Sequence, residues 1–170
     1  MNPRALLPMA ALLLATPLYA LRSGDDAAEM DAEVLSGGPL TLLSPAGAEV
    51  PQDQLKVLVL MRAATPVDAE VLPLLYDVAA GAPNARIVAL SIDPEAPSKE
   101  LFAKMPEPNF VTAVDHGGRT AKRYLTGAAL FPRCFVIDRA NKIIWDGEAM
   151  DLAEMLREYR EGRFDADRQR

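Results

Sequence analysis

The chain has 170 residues and a mass of 18.4 kDa, and half of it is apolar, which suits one domain with a single core and excludes global disorder. Eighteen basic against 24 acidic residues, a net charge of -6 and a pI near 4.8 exclude the basic face of a nucleic-acid binder. One cysteine and one histidine exclude an intramolecular disulfide, a cysteine zinc cluster and a two-histidine metal motif, so neither a metal nor another cofactor is expected.

Residues 1–20 read as a secretory signal. Arg4 supplies the positive start, 5–18 are apolar apart from Pro8 and Pro17, and Leu18-Tyr19-Ala20 is the cleavage site. The run is short for a membrane span of about 20 residues, and an uncleaved anchor is the alternative. Export to the periplasm is expected, with any membrane contact confined to this segment, and it places the chain where disulfides form. Residues 21–37 follow as a polar, acidic link with Asp25, Asp26, Glu29, Asp31 and Glu33, read as a flexible spacer, with a capped helix from Asp25 as the alternative.

The body, 38–162, alternates strands and helices. A short apolar run at 40–43 ends in the turn Ser44-Pro45-Ala46-Gly47. KVLVLM at 56–61 is apolar without alternation, as in a strand buried on both faces. Val67, Val71, Leu74, Leu75 and Val78 have helical spacing, predicting a helix over 67–80 that stops at Gly81-Ala82-Pro83-Asn84. RIVALSI at 86–92 is a second buried strand, 98–105 a short helix, 109–114 a third strand and 118–125 a third helix. RCFVID at 133–138 and the segment 143–145 form a hairpin around the turn 139–142. A last helix covers 150–162, and the charged tail 163–170 is expected to fray. Helices between strands imply parallel crossovers and the hairpin adds an antiparallel edge: an α/β fold with a central mixed sheet flanked by helices on both faces.

VLVLM running into Arg62-Ala63-Ala64-Thr65-Pro66-Val67-Asp68, then Phe131-Pro132-Arg133-Cys134-Phe135-Val136-Ile137-Asp138, Ile143-Ile144-Trp145-Asp146-Gly147 and Met150-Asp151-Leu152, resembles the thioredoxin-like fold of the TlpA/ResA redoxin group. That family carries Trp-Cys-x-x-Cys after the first of these strands and a cis-proline before the later one. The resemblance sets Thr65 and Asp68 at the two cysteine positions, Ala64 at the tryptophan and Pro132 at the cis-proline. The stretch from Tyr124 to Pro132 is about two residues longer than the usual family spacing. Peroxiredoxins, which share the fold and use Thr-x-x-Cys, look like Thr65-Pro66-Val67-Asp68 with aspartate in place of cysteine. Either comparison implies a site without dithiol exchange, because exchange needs one thiolate to attack and a second thiol to resolve the mixed disulfide.

Read from its own chemistry, Thr65-Pro66-Val67-Asp68 is a helix start. Thr65 is the N-cap, Pro66 occupies the first position where its missing N–H costs nothing, and Asp68 reaches back as in a capping box, with Glu70 adding negative charge at the helix end. This structural reading is preferred to a catalytic Asp68. Arg62 and Arg133 flank the site in salt-bridged roles or as anion ligands. Cys134, two residues past Pro132, lies by alternation on the face opposite Phe131 and Arg133. It is read as a small buried apolar side chain, with a thiol forming mixed disulfides as the alternative. His116 in Asp115-His116-Gly117-Gly118 is an exposed turn residue, those glycines lack the spacing of a phosphate loop, and Asp93-Pro94-Glu95 is a turn. Tyr124, Phe131 and Trp145 are the aromatic residues available for an exposed groove.

Two functions follow. One is an exported, non-catalytic binding or scaffold module that receives a protein or extended peptide on the former active-site surface, around Thr65, Pro66, Asp68, Phe131, Pro132 and Arg133. The other is a thiol oxidoreductase or peroxidase acting through Cys134 alone.

Overall fold

The structure, a computed structural model, describes residues 21–37, 54–125 and 130–166. The expected signal segment, the run at 40–43 with its turn, part of the stretch from Tyr124 to Pro132 and the end of the tail lie outside the described residues. A mixed six-stranded sheet carries the fold in the order β1-β4-β3-β2-β5-β6, with β1 Ala32–Ser36, β2 Leu55–Met61, β3 Ala85–Ser91, β4 Val111–Asp115, β5 Arg133–Ile137 and β6 Ile143–Glu148. β2, β3 and β4 are parallel, and β1, β5 and β6 pair antiparallel to their neighbours. Every residue of β2 is buried, which is why its sequence does not alternate. Its side chains still divide by period two. Val57, Val59 and Met61 join Ile87, Ala89, Cys134 and Val136 on one face, and Leu58 and Leu60 join Val88, Leu90, Phe135 and Ile137 on the other.

Helices cover both faces, as the alternating pattern predicts. The steps β2 to β3 and β3 to β4 run in the same direction along the sheet, so two right-handed crossovers put α2 (Val71–Gly81) and α3 (Glu95–Ala103) on one face. α5 (Leu152–Arg160) joins them through Leu152, Met155 and Leu156. α4 (Arg119–Tyr124) recrosses the opposite face through Tyr124.

Two local predictions are corrected. The single helix over 67–80 is broken: α1 spans Pro66–Ala69 and α2 begins at Val71. Pro73 accounts for the break, because its ring collides with the carbonyl four residues back, that of Ala69, and it has no N–H to give it. α3 starts three residues before the expected 98, behind Pro94. Before α4, Gly117 and Gly118 adopt φ of 61° and 68°, a left-handed pair that side-chain-bearing residues rarely sustain. They turn the chain so that the buried Asp115 carboxylate accepts from Thr120 N (2.9 Å) and Ala121 N (2.8 Å) and caps the helix.

Residues 21–37, expected as a flexible spacer, instead form a strap across the sheet. At one edge Gly24 N donates to Ile143 O (2.7 Å) and Ile143 N to Asp25 O (2.9 Å). Ala27 and Met30 then bury in the α4-side core, and the Tyr124 hydroxyl donates to Ala28 O (2.6 Å). β1 closes the opposite edge against β4. The acidic run is not a solvated tether because its charges meet cations elsewhere: Asp26 pairs with Lys142 (2.8 Å), Asp31 with Arg119 (2.7 Å) and Glu33 with Lys99 (3.0 Å). The described start of the tail is held as well, Phe164 packing on Tyr159 with ring centroids 6.1 Å apart.

Candidate functional site

β2 ends at Met61, and the loop 62–65 leaves the sheet on two carboxylates. Ala64 N donates to Asp93 Oδ2 (2.6 Å) from the turn after β3. Asp68, the third residue of α1, points back under the loop, where Oδ2 accepts from Arg62 Nε (2.7 Å) and Arg62 N (3.1 Å), and Oδ1 from Arg62 Nη2 (3.3 Å). Asp68 is 1 % exposed and the Arg62 side chain 42 %. The bond to Asp68, with the charge of Asp93 behind it, pushes the Arg62 pKa above its ordinary value. The Arg62 guanidinium carbon also lies 5.0 Å from the centre of the Phe131 ring, a cation–π contact. Arg62 therefore ties the start of α1 to the residue before Pro132.

The expected side-chain cap is absent. Thr65 makes no side-chain bond to the helix end. Its carbonyl instead accepts from Asp68 N (3.0 Å) and Ala69 N (3.1 Å). Asp68 does not complete a capping box, because the guanidinium of Arg62 is a charged donor for its carboxylate where a backbone N–H is a neutral one. Arg133 is drawn away from this cluster: it pairs with Asp146 on the adjacent strand. Among the described residues, no group of three His, Cys, Asp or Glu side chains is placed to hold a metal ion.

The peptide bond between Phe131 and Pro132 is cis. Beside it opens a groove of about 580 Å³, lined by Val71, Leu74, Leu130, Phe131, Pro132 and Met150 with Glu70 and Glu148 at its rim. Leu130 and Met150 are 73 % and 75 % exposed, so the lining stands open to solvent. Of the expected site residues, Phe131 and Pro132 reach this groove, whereas Thr65, Pro66, Asp68 and Arg133 do not line it. Tyr124 and Trp145 are not exposed either: Tyr124 packs edge-on to Phe135 with centroids 5.0 Å apart, and Trp145 covers the backbone of Gly147 in the α5-side core.

Cys134 is 0 % exposed, between Val59 on β2 and Gly147 on β6, and faces the core beneath α2 and α5. Burial pushes its pKa up to about 12, with Arg133 offsetting part of the effect. Burial thus disfavours the thiolate that redox chemistry requires. His116 is half-exposed on its turn, 3.4 Å from Asp31.

The α/β order and the mixed sheet agree with solved structures. The peroxidoxin BcpB of Mycobacterium tuberculosis superposes with a TM-score of 0.61 at 20 % identity, over 81 % of this chain and 97 % of that one. A thioredoxin domain of a thiol-disulfide oxidoreductase from Bacteroides vulgatus gives 0.63 at 15 % identity, over 82 % and 99 %. The fold is thioredoxin-like. A peroxiredoxin-like protein from Aquifex aeolicus gives 0.62 at 19 % identity, over 82 % of this chain and 88 % of that one. No protein-family model matches the chain, and no curated protein does. Within the thioredoxin-like frame, Glu70, Val71, Leu74, Leu130, Glu148, Ala149 and Met150 line the groove outside the expected site residues. Met150 offered a signal, a large apolar side chain two residues before the buried Leu152.

Proposed function

We propose that this protein is an exported, non-catalytic binding module, a thioredoxin-like fold that has lost its dithiol site and receives an extended peptide or protein segment at the former active-site surface. One observation carries the reading. The segment that follows β2 is closed by the Arg62–Asp68 pair, the chain's single thiol is sealed in the core, and the apolar groove beside Pro132 stays open. Neither Thr65 nor Asp68 can carry out thiol exchange, whereas docking of an extended segment uses backbone bonds and side-chain pockets that need no cysteine. The burial of Cys134 weighs against a one-cysteine oxidoreductase or peroxidase. Export rests on residues 1–20. Among the described residues no helix is long and apolar enough to cross a membrane.

The test titrates Cys134 in the native and the unfolded protein with a thiol reagent and measures turnover of peroxide and of a small disulfide before and after Cys134→Ser. The expected result is a thiol silent until unfolding and no turnover in either protein. Rapid native labelling together with activity lost in the variant would sink the proposal. N-terminal sequencing of the protein recovered from the periplasm tests export, with cleavage after Ala20 expected.

A further inference from the structure

The rim of the groove is charged on one sign only. Glu70 and Glu148 stand exposed at its edge, and neither side chain has an ion-pair or hydrogen-bond partner among the described residues. The arginine nearest them in the sheet, Arg133, is spent on Asp146, and no Lys or Arg lines this part of the groove. The floor is apolar, from Val71, Leu74, Phe131 and Pro132, with Leu130 and Met150 projecting over it. Leu74 and Met150 also line a second groove of about 440 Å³ between α2 and α5, so the apolar surface continues past the first site. Both cations of that second groove are already engaged, Arg157 with Glu154 (3.1 Å) and Arg160 with Gly81 O (2.8 Å). In the sheet register Glu148 lies opposite Arg133, whose guanidinium is taken by Asp146, so neither rim carboxylate is in an ion pair among the described residues.

Resting on the docking reading above, we infer that the partner segment is basic and apolar: an extended peptide that places a bulky apolar side chain on Val71, Leu74, Phe131 and Pro132 and a Lys or Arg within two residues of it, against Glu70 and Glu148. The apolar floor supplies the affinity and the two carboxylates select the partner, as charge complementarity does at a solvent-exposed rim. Acidic segments are repelled by the same two groups and by the net charge of -6.

A phage-displayed random octapeptide library is selected on the purified full-length chain. Two variants, Glu70→Gln with Glu148→Gln and Leu130→Ser with Met150→Ser, are then compared for binding of the most enriched peptide. The expected outcome is enrichment of a bulky apolar residue next to Lys or Arg. Binding should weaken about three- to tenfold in the double Gln variant, with loss of its salt dependence, as removal of two exposed ion pairs implies. It should be abolished in the double Ser variant. Enriched peptides without basic residues, or binding indifferent to the double Gln change, overturn the inference while leaving peptide docking in place. No enrichment, or binding that survives the double Ser change, overturns the docking reading and this inference with it.

Discussion

Asp68 and Arg62 share one ion pair unequally. Asp68 is buried and Arg62 half faces water, so each loss has a different consequence. If Arg62 is shortened to Gln, the Asp68 charge stays in the core with one backbone donor in place of a charged fork. If Asp68 becomes Asn, the guanidinium turns to solvent and keeps its stack on Phe131. Breaking a fully buried pair costs roughly 3–5 kcal/mol, and partial exposure lowers that here. We expect Arg62→Gln to lower stability more than Asp68→Asn in urea denaturation. The reverse order would show that the carboxylate is not the strained partner. Cys134 makes a second prediction at this scale. Its folded pKa of about 12 lies above the ordinary 9.0. Between those values the unfolded chain has released a proton that the folded chain still holds, so stability falls as pH rises through that window, by up to about 1.4 kcal/mol per pH unit. Tyr124, also raised by burial, adds the same sign above its ordinary 10.0, whereas Lys56, lowered by burial, has the opposite sign. Cys134→Ala should flatten the decline between pH 9 and 11, read from denaturant midpoints. An unchanged slope would mean that the thiol is not sealed.

At the scale of elements, the strap does what its composition hides. Five acids within nine residues look like a solvated tether, yet Ala27 and Met30, on either side of Glu29, are the positions that bury. The strap occupies the outer edge of β6 and adds β1 to that of β4, so both of these strands, which would otherwise present unpaired backbone, are covered. Asp31 is held below its ordinary pKa, chiefly by the bond from Arg119, which marks how closely the strap is seated. Met30→Ala should cost about 2–3 kcal/mol, the usual loss for a buried methionine, and should raise hydrogen exchange in β1 first. A surface-like loss of a few tenths would mean that the strap does not hold its place in solution. Pro73 belongs to the same scale. Periodicity alone joins Val67 to Val78 into one helix, and only the collision of a proline ring with the carbonyl four residues back divides it.

For the whole molecule, the thioredoxin-like fold makes the register of the site testable. Thr65 and Asp68 flank the start of α1 directly after the central strand, where the resemblance puts the cysteine pair. Thr65→Cys with Asp68→Cys, in a Cys134→Ala background, should give a thiol of lowered pKa and turnover of a small disulfide absent from the parent. A folded variant with no turnover would count against that register. The change also removes the carboxylate beneath Arg62, so circular dichroism must accompany the assay.

Much of this architecture is legible in the chain itself. Strands buried on both faces are continuous apolar runs, and helices keep a 3.6-residue period, because each follows from local geometry and burial. The cysteine count rules out an internal disulfide before any folding is considered. What only the tertiary structure decided involves partners distant in sequence: Tyr124 donating to Ala28 O, Arg133 turned to Asp146, Arg62 laid between Asp68 and Phe131, and Leu130 and Met150 brought to one groove. A charged or apolar residue shows its chemistry in the sequence. Whether that chemistry is satisfied, buried or left open depends on which surfaces the packed sheet brings together, and the last of these conditions is met by the groove beside Pro132.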